Sequence, residues 1–331
     1  MRPDLRVPVL VLILVSLVSM TGCGGDDGRS PEEPRKATVV LDYLPNAVHA
    51  GIYQAKAAGY YEEEGIDLEV ISPTSTSDTV RLVSAGKADF GLADGIDLAT
   101  QVSRGRGVRG LMAVLRKPAG GLITAARGGP RTPADLAGQT VGLTGAPSDR
   151  AVFETIVETA GGDPTLSSTV VIGFNGVQAL SADRITAFTG YIPEDATALE
   201  ARGTATRTFP FYRWGGPAYP GLVAFSTPER IREDPTLVRG FVEATIRGYR
   251  DALADPAGAI SALAEEVEGV DRPFARRVFA AYAPLVGSPS RVGRIDPRSV
   301  RQLSRFLLEN GLITRPVPLG RFATGKFTGS Y

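Results

Sequence analysis

Side chains with useful binding chemistry lie close together in one segment, residues 42–49. Asp42 can accept hydrogen bonds from an amino group, Tyr43 can stack on an aromatic ring, and Asn46 can both donate and accept. This combination favours a site for a flat ring with polar edges. The same residues also suit local structure, because Pro45 and Asn46 can cap a following helix and His49 can fill one of its faces. Residue types alone leave both interpretations open.

Residue counts exclude several kinds of catalytic and metal chemistry. The chain has one histidine, His49, and one cysteine, Cys23, so a zinc site of the usual Cys/His type cannot be assembled. A Ser-His-Asp triad would need His49 as its base, and no recognisable nucleophile lies near it in the sequence. We therefore expect no catalytic residue, no metal site and no cofactor.

Residues 105–110 match the letters G-x-G-x-x-G of dinucleotide-binding loops. Such a loop must follow a strand and open a helix, so that the pyrophosphate meets the helix N-terminus. Here a predicted helix precedes the glycines and a predicted strand at 110–114 follows them. We interpret the segment as a helix-to-strand loop.

The candidate site lies where an α/β fold would place a ligand. The predicted elements alternate in the order strand 37–41, helix 47–58, strand 68–71, helix 78–85, strand 90–92 and helix 96–104. This pattern is typical of parallel sheets covered by helices, and ligands bind beyond the carboxyl ends of such strands. Asp42 follows the first strand and Asp94 follows the third. Asp94 is therefore a further candidate, although it could also cap the helix from Ile96.

Two glycine-proline segments, residues 128–130 and 215–217, are interpreted as hinges. Between them we predict a helix start at Thr132-Pro133, strands at 140–143, 170–174, 185–188 and 206–212, and helices at 149–159, 176–182 and 194–202. After the second hinge we predict a strand at 222–225 and helices at 237–253, 256–266, 272–283 and 297–309.

These elements predict an α/β fold of the two-lobed, periplasmic-binding-protein type (type II). Two hinge crossings join the lobes, and the ligand cleft lies between them. Lobe 1 is predicted to comprise residues 37–128 and 217–331, and lobe 2 residues 129–216. Lobes of this kind close on a ligand by hinge motion.

The chain begins like an exported protein. Arg2 and Arg6 precede an apolar stretch at residues 7–18, which is shorter than the roughly 20 residues of a membrane-spanning helix. We therefore predict a signal peptide at residues 1–22. Residues 23–36 have almost no apolar side chains and are predicted to form a flexible tether.

The signal peptide ends in Met20-Thr21-Gly22-Cys23, which resembles the lipobox of bacterial lipoproteins. The resemblance implies that Cys23 carries lipid and anchors the chain on the extracytoplasmic face of the cell membrane. Ordinary cleavage, which would leave a free thiol, is the alternative. With no second cysteine, the chain cannot form an internal disulfide.

The overall charge argues against nucleic-acid binding. Lysine plus arginine and aspartate plus glutamate both number 36, so no net field attracts a polyanion. The length of 331 residues suits two domains of roughly 150 residues each. We expect a monomer.

The segment from Asp42 onward resembles the aspartate-tryptophan-x-proline-asparagine-x-x-histidine-x-glycine signature of one family. That family includes bacterial binding proteins for the pyrimidine precursors of thiamine and the fungal pyrimidine synthase. Asp42, Asn46 and His49 match the signature, and Tyr43 replaces the tryptophan with another aromatic face. The similarity continues through residues 85–91 and more loosely to about residue 225.

The resemblance implies further site residues in and beyond the second lobe. Residues 190–195 occupy the place of a family segment in which aromatic side chains and a glutamate hold the pyrimidine. Tyr191 is thus implied to stack on the ligand, and Glu194 or Asp195 to supply the acid. Tyr219 corresponds to a tyrosine after the second hinge. The implied ligand is a small nitrogen heterocycle, such as a thiamine pyrimidine precursor, delivered to the permease of an ABC importer.

Departures from the family segment keep other ligands open. Ile192 stands in place of an aromatic residue, and Asp195 is shorter than a glutamate. A flavin or another vitamin precursor is one alternative, and a sulfonate or nitrate solute of the wider superfamily is another.

Two rival functions belong to other classes. A pyrimidine-synthase-like enzyme would use a histidine at the position of His49. The cysteine-rich segment of the fungal enzyme is absent here, however, and so is the lysine just upstream that would attach pyridoxal phosphate. An adhesin or assembly factor would leave the motif unexplained. We therefore expect a binding protein and not an enzyme.

Overall fold

The computed structural model describes residues 34–74 and 78–329. The predicted signal peptide, Cys23 and nearly all of the predicted tether lie outside these residues. Among the helices of the described segments, none combines the length and the apolar character needed to cross a membrane.

The strands and helices alternate through most of the chain. The strands are β1 (Arg35–Val40), β2 (Ile66–Ile71), β3 (Phe90–Ala93), β4 (Arg109–Leu115), β5 (Gly120–Ala125), β6 (Thr140–Leu143), β7 (Ser168–Val171), β8 (Ala187–Tyr191), β9 (Thr206–Pro210) and β10 (Leu222–Ser226). The helices of the first half are α1 (Ala50–Ala57), α2 (Tyr60–Glu63), α3 (Asp78–Ser84), α4 (Gly95–Ser103), α5 (Asp149–Thr159), α6 (Gly176–Ser181) and α7 (Ile192–Ala201).

The remaining helices lie after β10. They are α8 (Pro228–Glu233), α9 (Pro235–Ala254), α10 (Pro256–Glu266), α11 (Arg272–Val286), α12 (Pro297–Glu309) and α13 (Leu319–Phe322). Short 3-10 turns occur at Ala47–His49, Pro133–Leu136, Pro164–Leu166, Phe211–Arg213 and Pro289–Arg291.

The strands form two five-stranded sheets. The first has the order β2-β1-β3-β10-β4 and the second has the order β7-β6-β8-β5-β9. In the first sheet β1 runs parallel to β2 and β3, and in the second β6 runs parallel to β7 and β8. Strand β10 is antiparallel to β3, so a late segment of the chain completes the first sheet. This is the two-lobed α/β architecture that the sequence predicts.

The first sheet is buried on both faces because successive residues of a strand point to opposite sides. Val39 packs in a core with helices α9 to α11, whereas Val40 packs in a second core with α3, α4 and α12. In the first core Phe90 and Phe241 stack with ring centroids 3.8 Å apart. Helices on both faces thus hold the strand ends of the first lobe in place.

The first crossing between the sheets differs from the predicted hinge. The chain passes from β4 to β5 through Arg116–Ala119, whereas Gly128-Gly129-Pro130 forms a turn after β5. Strand β5 pairs with β8 and β9, so residues 120–125 belong to the second sheet and not to lobe 1 as predicted. Gly215-Gly216-Pro217 does lie in the second crossing, between β9 and β10.

Strand β5 itself is missing from the sequence prediction. It begins with two glycines, which usually indicate a turn. Gly121 is needed there because a Cβ atom would lie 2.4 Å from the carbonyl oxygen of Phe209 on the neighbouring strand. The strand therefore depends on a close approach of two backbones that the local sequence does not reveal.

The structure also contains the short helices α2, α8 and α13, which are not among the predicted elements. Most other differences are small shifts of boundaries. The tether was predicted to reach residue 36, but β1 begins at Arg35, whose backbone N–H donates to Gly65 and whose guanidinium pairs with Asp234 at 2.7 Å. The strand predicted at 170–174 lies at 168–171. The helix start at Thr132-Pro133 forms a capping box but continues for only one 3-10 turn.

Helix α1, which follows the candidate site segment, packs unusually closely on α9. The fully buried ring of Tyr249 lies against Gly51, where a Cβ atom would be 2.4 Å from the ring. The Tyr249 hydroxyl donates a 2.8 Å hydrogen bond to the carbonyl oxygen of Val48. The ring and its hydroxyl thus fix the start of α1 against the C-terminal half of the chain.

We predict that Gly51→Ala lowers the free energy of unfolding by about 1 to 3 kcal/mol, because the new methyl group must displace a close-packed ring. Gly107→Ala is a matched control, since its Cβ would meet no atom within 4 Å, and should change stability by less than about 0.5 kcal/mol. Chemical denaturation of both variants tests this. Equal stability of the two variants would contradict the close packing.

Candidate functional site

The cleft lies between the two sheets, at the edge where the parallel strands of each sheet end. Asp42 and Asp94 follow β1 and β3, which run in the same direction. Thr144 follows β6, and Tyr191 ends the parallel strand β8. The predicted site residues of both lobes are therefore brought to one cleft.

His49 fixes the shape of the first site segment. Its side chain is fully buried, and its Nε2 atom lies 2.8 Å from Asp42 Oδ1. Its Nδ1 atom accepts a 3.1 Å hydrogen bond from the backbone N–H of Asn46. Because Nδ1 accepts, the proton of the neutral ring is on Nε2 and is donated to Asp42. Both ring nitrogens of His49 therefore form hydrogen bonds to groups of the protein itself.

Asn46 is the cap of the same segment. Its Oδ1 atom accepts a 2.9 Å hydrogen bond from the Val48 N–H, and its Nδ2 group donates to the Leu44 carbonyl oxygen at 3.1 Å. The local-structure interpretation therefore holds for Asn46 and His49. Asp42, held by His49, keeps 15% of its side chain exposed.

Tyr43 stands at the rim of the cleft. It is 38% exposed, and its ring centroid lies 5.2 Å from that of Phe174, at an interplanar angle of 49°. Phe174 follows β7 in the second lobe and is 68% exposed. Two accessible aromatic rings from opposite lobes thus meet across the rim.

Asp94 both caps α4 and lies in the cleft. Its Oδ1 atom accepts a 2.8 Å hydrogen bond from the Ile96 N–H, and its Oδ2 atom lies 3.5 Å from the Tyr219 hydroxyl. Burial raises the pKa of Asp94 well above its ordinary value, and the charges of Asp97 and Asp42 raise it further. The capping and site interpretations are therefore compatible.

Asp97 joins this group, although the sequence analysis did not select it. Its side chain is exposed to solvent, yet surrounding protein raises its pKa to about 6, with added effects from Asp149 and Asp42. A side chain that solvent reaches, but that protein surrounds closely, is typical of the wall of a cleft. Its position three residues after Asp94, in the first turn of α4, is the signal that could have identified it.

Tyr191 brings the second lobe to the acidic group. Although 42% of the residue is exposed, the closely surrounding protein raises the pKa of its hydroxyl well above the ordinary value, and the charges of Asp94, Asp42 and Asp97 raise it further. Tyr219 is buried, and the pKa of its hydroxyl is raised by burial and by Asp94. The two tyrosines and the carboxylates thus share one region.

Glu194 and Asp195 begin α7 with different surroundings. Asp195 lies against Gly190, and burial raises its pKa to about 6. Burial raises the pKa of Glu194 to about 7, with a further effect of Asp195. The Oε2 atom of Glu194 is buried and has no hydrogen-bond partner among the described residues.

A cavity of about 260 Å³ adjoins the Glu194 side chain. Part of the site segment lines it, namely Pro45, Asn46 and Ala47, together with apolar residues of α10, α11 and their connection such as Phe274. Tyr282 of α11 is buried, and Glu194, Asp42 and Asp195 raise the pKa of its hydroxyl after the effect of burial. Like Asp97 and Phe174, Tyr282 was not selected from the sequence, because nothing there distinguishes it from a core tyrosine.

Donors in the loop between β6 and α5 are already occupied by a side chain of the protein. The Oδ2 atom of Asp149 accepts hydrogen bonds from the Thr144 hydroxyl at 2.6 Å and from the backbone N–H groups of Gly145 and Ala146 at 2.8 and 3.1 Å. The chain's own carboxylate thus uses donors that would otherwise suit an anion.

The sequence matches a known family over most of the described chain. Residues 46–259 match the family described as NMT1/THI5 like. The chain belongs to this family. The family resemblance expected from the Asp42 motif is therefore confirmed.

Individual NMT1/THI5-like relatives carry different names. A formylaminopyrimidine-binding protein of Halalkalibacterium halodurans is 28% identical over 270 residues, covering 81% of this chain and 82% of the relative. A 4-amino-5-hydroxymethyl-2-methylpyrimidine phosphate synthase of Legionella pneumophila is 29% identical over 255 residues, covering 76% and 79%. The riboflavin-binding protein RibY of Chloroflexus aurantiacus is 24% identical over 353 residues, covering 99% and 100%.

Solved structures show the same fold at low sequence identity. The alkanesulfonate-binding protein SsuA of Xanthomonas axonopodis pv. citri superposes with a TM-score of 0.69 at 15% identity, covering 88% of this chain and 99% of that one. The periplasmic-binding-protein fold is therefore confirmed, and the ligand has to be argued from the site.

We predict that Glu194→Gln stabilises the protein more at pH 8 than at pH 5. The folded pKa of about 7 exceeds the ordinary value of 4.5, so the folded state holds this proton more tightly than the unfolded chain. The contribution of Glu194 to stability is therefore complete below about pH 4.5 and is lost as the pH rises through 7. The neutral amide avoids that loss, by about 1 to 2 kcal/mol after solvent screening.

Thermal unfolding of the wild type and the variant at both pH values measures this difference. Glu265→Gln, on an exposed position of α10, is the control and should shift the melting temperature equally at both pH values. A pH-independent effect of Glu194→Gln would show that the carboxyl is hydrated in the folded protein.

Proposed function

We propose that the chain is an extracytoplasmic solute-binding protein whose cleft takes a small, flat nitrogen heterocycle, such as a pyrimidine precursor of thiamine. The observation that carries this proposal is the buried, unpartnered Oε2 atom of Glu194 beside a small cavity. A buried acceptor without a donor is unfavourable by about 1 to 3 kcal/mol. An exocyclic amino group on a ring of this class would supply the missing donor.

The charges in the cleft fit the same ligand class. Apart from the Tyr219 hydroxyl beside Tyr191, the neighbouring groups whose charge raises the pKa values of Asp94, Asp97 and Tyr191 are all carboxylates. Such a site favours a solute that donates hydrogen bonds or carries a proton on a ring nitrogen. The carboxylates of Asp42, Asp94 and Asp97 would face the polar edge of the ring. The Tyr219 hydroxyl would hold the Asp94 side chain in position.

Accessible aromatic rings supply the other half of the site. Tyr191 reaches the acidic group from the second lobe, so we assign it to stacking on the ligand. Tyr43 pairs with Phe174 at the rim and would cover the bound ring as the lobes close. Asn46 and His49 hold the segment in shape, and Asp195 supports the turn before α7.

The same features argue against a sulfonate or nitrate ligand. An anion would meet several carboxylates, and the backbone donors of Gly145 and Ala146 in the loop before α5 already bond to Asp149. A flavin is the stronger second candidate, because the riboflavin-binding relative aligns along 99% of this chain. A flavin ring is flat and carries no negative charge, although it is larger than a pyrimidine.

Pyrimidine synthesis is disfavoured by the state of His49. Both of its ring nitrogens are engaged, one with Asp42 and one with the Asn46 N–H, and its side chain is fully buried. A histidine in that position has a structural role. Some relatives are named synthases, but we propose that this chain binds its heterocycle without converting it.

We predict that formylaminopyrimidine binds the wild type, and that Tyr191→Ala weakens binding at least tenfold, because both stacking and apolar burial are lost. Tyr191→Phe is the matched control and should bind within about threefold of the wild type, since it keeps the ring. Isothermal titration calorimetry measures both. Riboflavin and an alkanesulfonate are titrated in parallel.

The outcomes separate the candidates. If riboflavin binds more tightly than formylaminopyrimidine, the ligand class is a flavin and not a pyrimidine. Tight binding of the alkanesulfonate would contradict the proposed acidic cleft. Wild-type affinity in Tyr191→Ala would remove Tyr191 from the site.

We further propose that lipid on Cys23 anchors the protein beside the permease of an ABC importer. The sole cysteine of the chain follows Met20-Thr21-Gly22, directly after the predicted signal peptide. An anchored receptor keeps its loaded cleft close to the transporter.

We predict that Cys23→Ser abolishes incorporation of labelled fatty acid and moves the mature protein from the membrane fraction to the soluble one. Since Cys23 is not one of the candidate site residues, ligand affinity of the variant should equal that of the wild type. Unchanged lipid labelling would contradict the anchor.

A further inference from the structure

A second cavity lies at the end of the second sheet that is remote from the cleft. Its volume is about 730 Å³. The turn after β5, the ends of neighbouring strands and the segment before β6 line it. The lining residues that matter here are Arg127, Pro130, Arg131, Asp135 and Arg207.

The position of this cavity separates it from the solute site. Gly120, at one end of β5, pairs with Tyr191 at the cleft, whereas Ala125, at the other end, pairs with Thr206 beside the cavity. Six strand residues span about 20 Å. A ligand in this cavity would therefore not touch the carboxylates of the cleft.

Arginines dominate the charge of the lining. Arg127, Arg131 and Arg207 carry positive charge, and Asp135 is the one carboxylate among the lining residues. The Oδ2 atom of Asp135 accepts hydrogen bonds of 2.9 Å from the backbone N–H groups of Arg131 and Thr132. These bonds lower the pKa of Asp135, that from Thr132 most strongly. The Asp135 carboxylate is therefore bonded within the turn, and the net charge of the lining residues is positive.

The turn that carries two of the arginines is braced by the third. Arg207 donates a 2.7 Å hydrogen bond from Nη1 to the carbonyl oxygen of Pro130. Thr124, near the end of β5, pairs with Arg207 on β9. Paired strands and this bond therefore hold the arginine-bearing turn beside Arg207, in an arrangement set by the backbone.

We propose that this cavity binds an oxoanion, with Arg127, Arg131 and Arg207 as its ligands and a phosphoryl group as the preferred chemistry. Planar guanidinium groups form paired hydrogen bonds with the oxygens of such groups. The whole chain has equal numbers of acidic and basic residues, so the positive excess at this cavity is a local feature and not a property of the whole chain. A free phosphorylated solute and a phospholipid headgroup share this chemistry.

Calorimetric titration of the purified full chain tests the site with two soluble probes. Inorganic phosphate represents a free solute, and glycerophosphoglycerol represents the headgroup of an anionic phospholipid. We expect saturable binding of at least one probe, weakening with added salt. The probe that binds more tightly identifies the source of the group.

The double variant Arg127→Gln/Arg131→Gln should weaken that binding at least tenfold, since each charge-assisted pair contributes about a factor of ten. Both residues are exposed, so the melting temperature should not change. Arg301→Gln, an exposed residue of α12 in the other lobe, carries a matched charge change and should bind the probe as the wild type does. Tyr191→Ala should also bind it normally, which separates this site from the cleft.

Failure of both probes to bind the wild type would overturn the proposal. So would binding that survives in Arg127→Gln/Arg131→Gln, because the anion would then bind elsewhere. Loss of binding in Tyr191→Ala would place the anion in the cleft and overturn it as well.

Discussion

The position of the cleft depends on the direction in which the strands run. In each sheet the strands that carry site residues are parallel, so their carboxyl ends lie at a single edge. The chain crosses between the sheets at that same edge, through 116–119 and again before β10. Residues as distant in sequence as Asp42 and Tyr191 therefore face each other. Helices on both faces of the first sheet keep its strand ends from moving independently.

Within the cleft, loss of solvation has the largest effect on the pKa values of several carboxyl groups. Burial is the largest cause of the raised pKa values of Asp94 and Glu194, the closely surrounding protein raises that of Asp97, and neighbouring carboxylates add to each effect. An acidic group of this kind holds protons more tightly than the same residues in water. A ligand that donates hydrogen bonds or carries a proton relieves the repulsion, whereas an anion increases it. The electrostatics thus restrict the ligand more than the fold does, since the same fold serves alkanesulfonate-binding proteins.

The Asp42 segment shows how residues of a binding signature can have a structural role. The side chains of His49 and Asn46 form the hydrogen bonds that cap the turn at Ala47–His49. His49 also bonds to Asp42 and so holds it at the end of β1. Gly51 belongs to the same motif because Tyr249 occupies the space of its missing side chain. A residue can match a binding signature and still act only by holding its neighbours in position.

Alternating apolar strands and amphipathic helices were sufficient to predict the α/β class and the two-lobed fold, because these follow from local periodicity. The rule that ligands bind at strand ends also selects the Asp42 segment as a candidate site, and that assignment stays a prediction. The motif also predicted the family. Strand β5 and the first crossing could not be predicted, because Gly120 and Gly121 become a strand only when neighbouring backbones approach. Asp97, Phe174 and Tyr282 were not selected from the sequence for the same reason. Their places in the candidate site depend on which elements pack together. Local sequence determined the elements and their order, and tertiary packing decided which side chains share a cavity and how burial changes their charge.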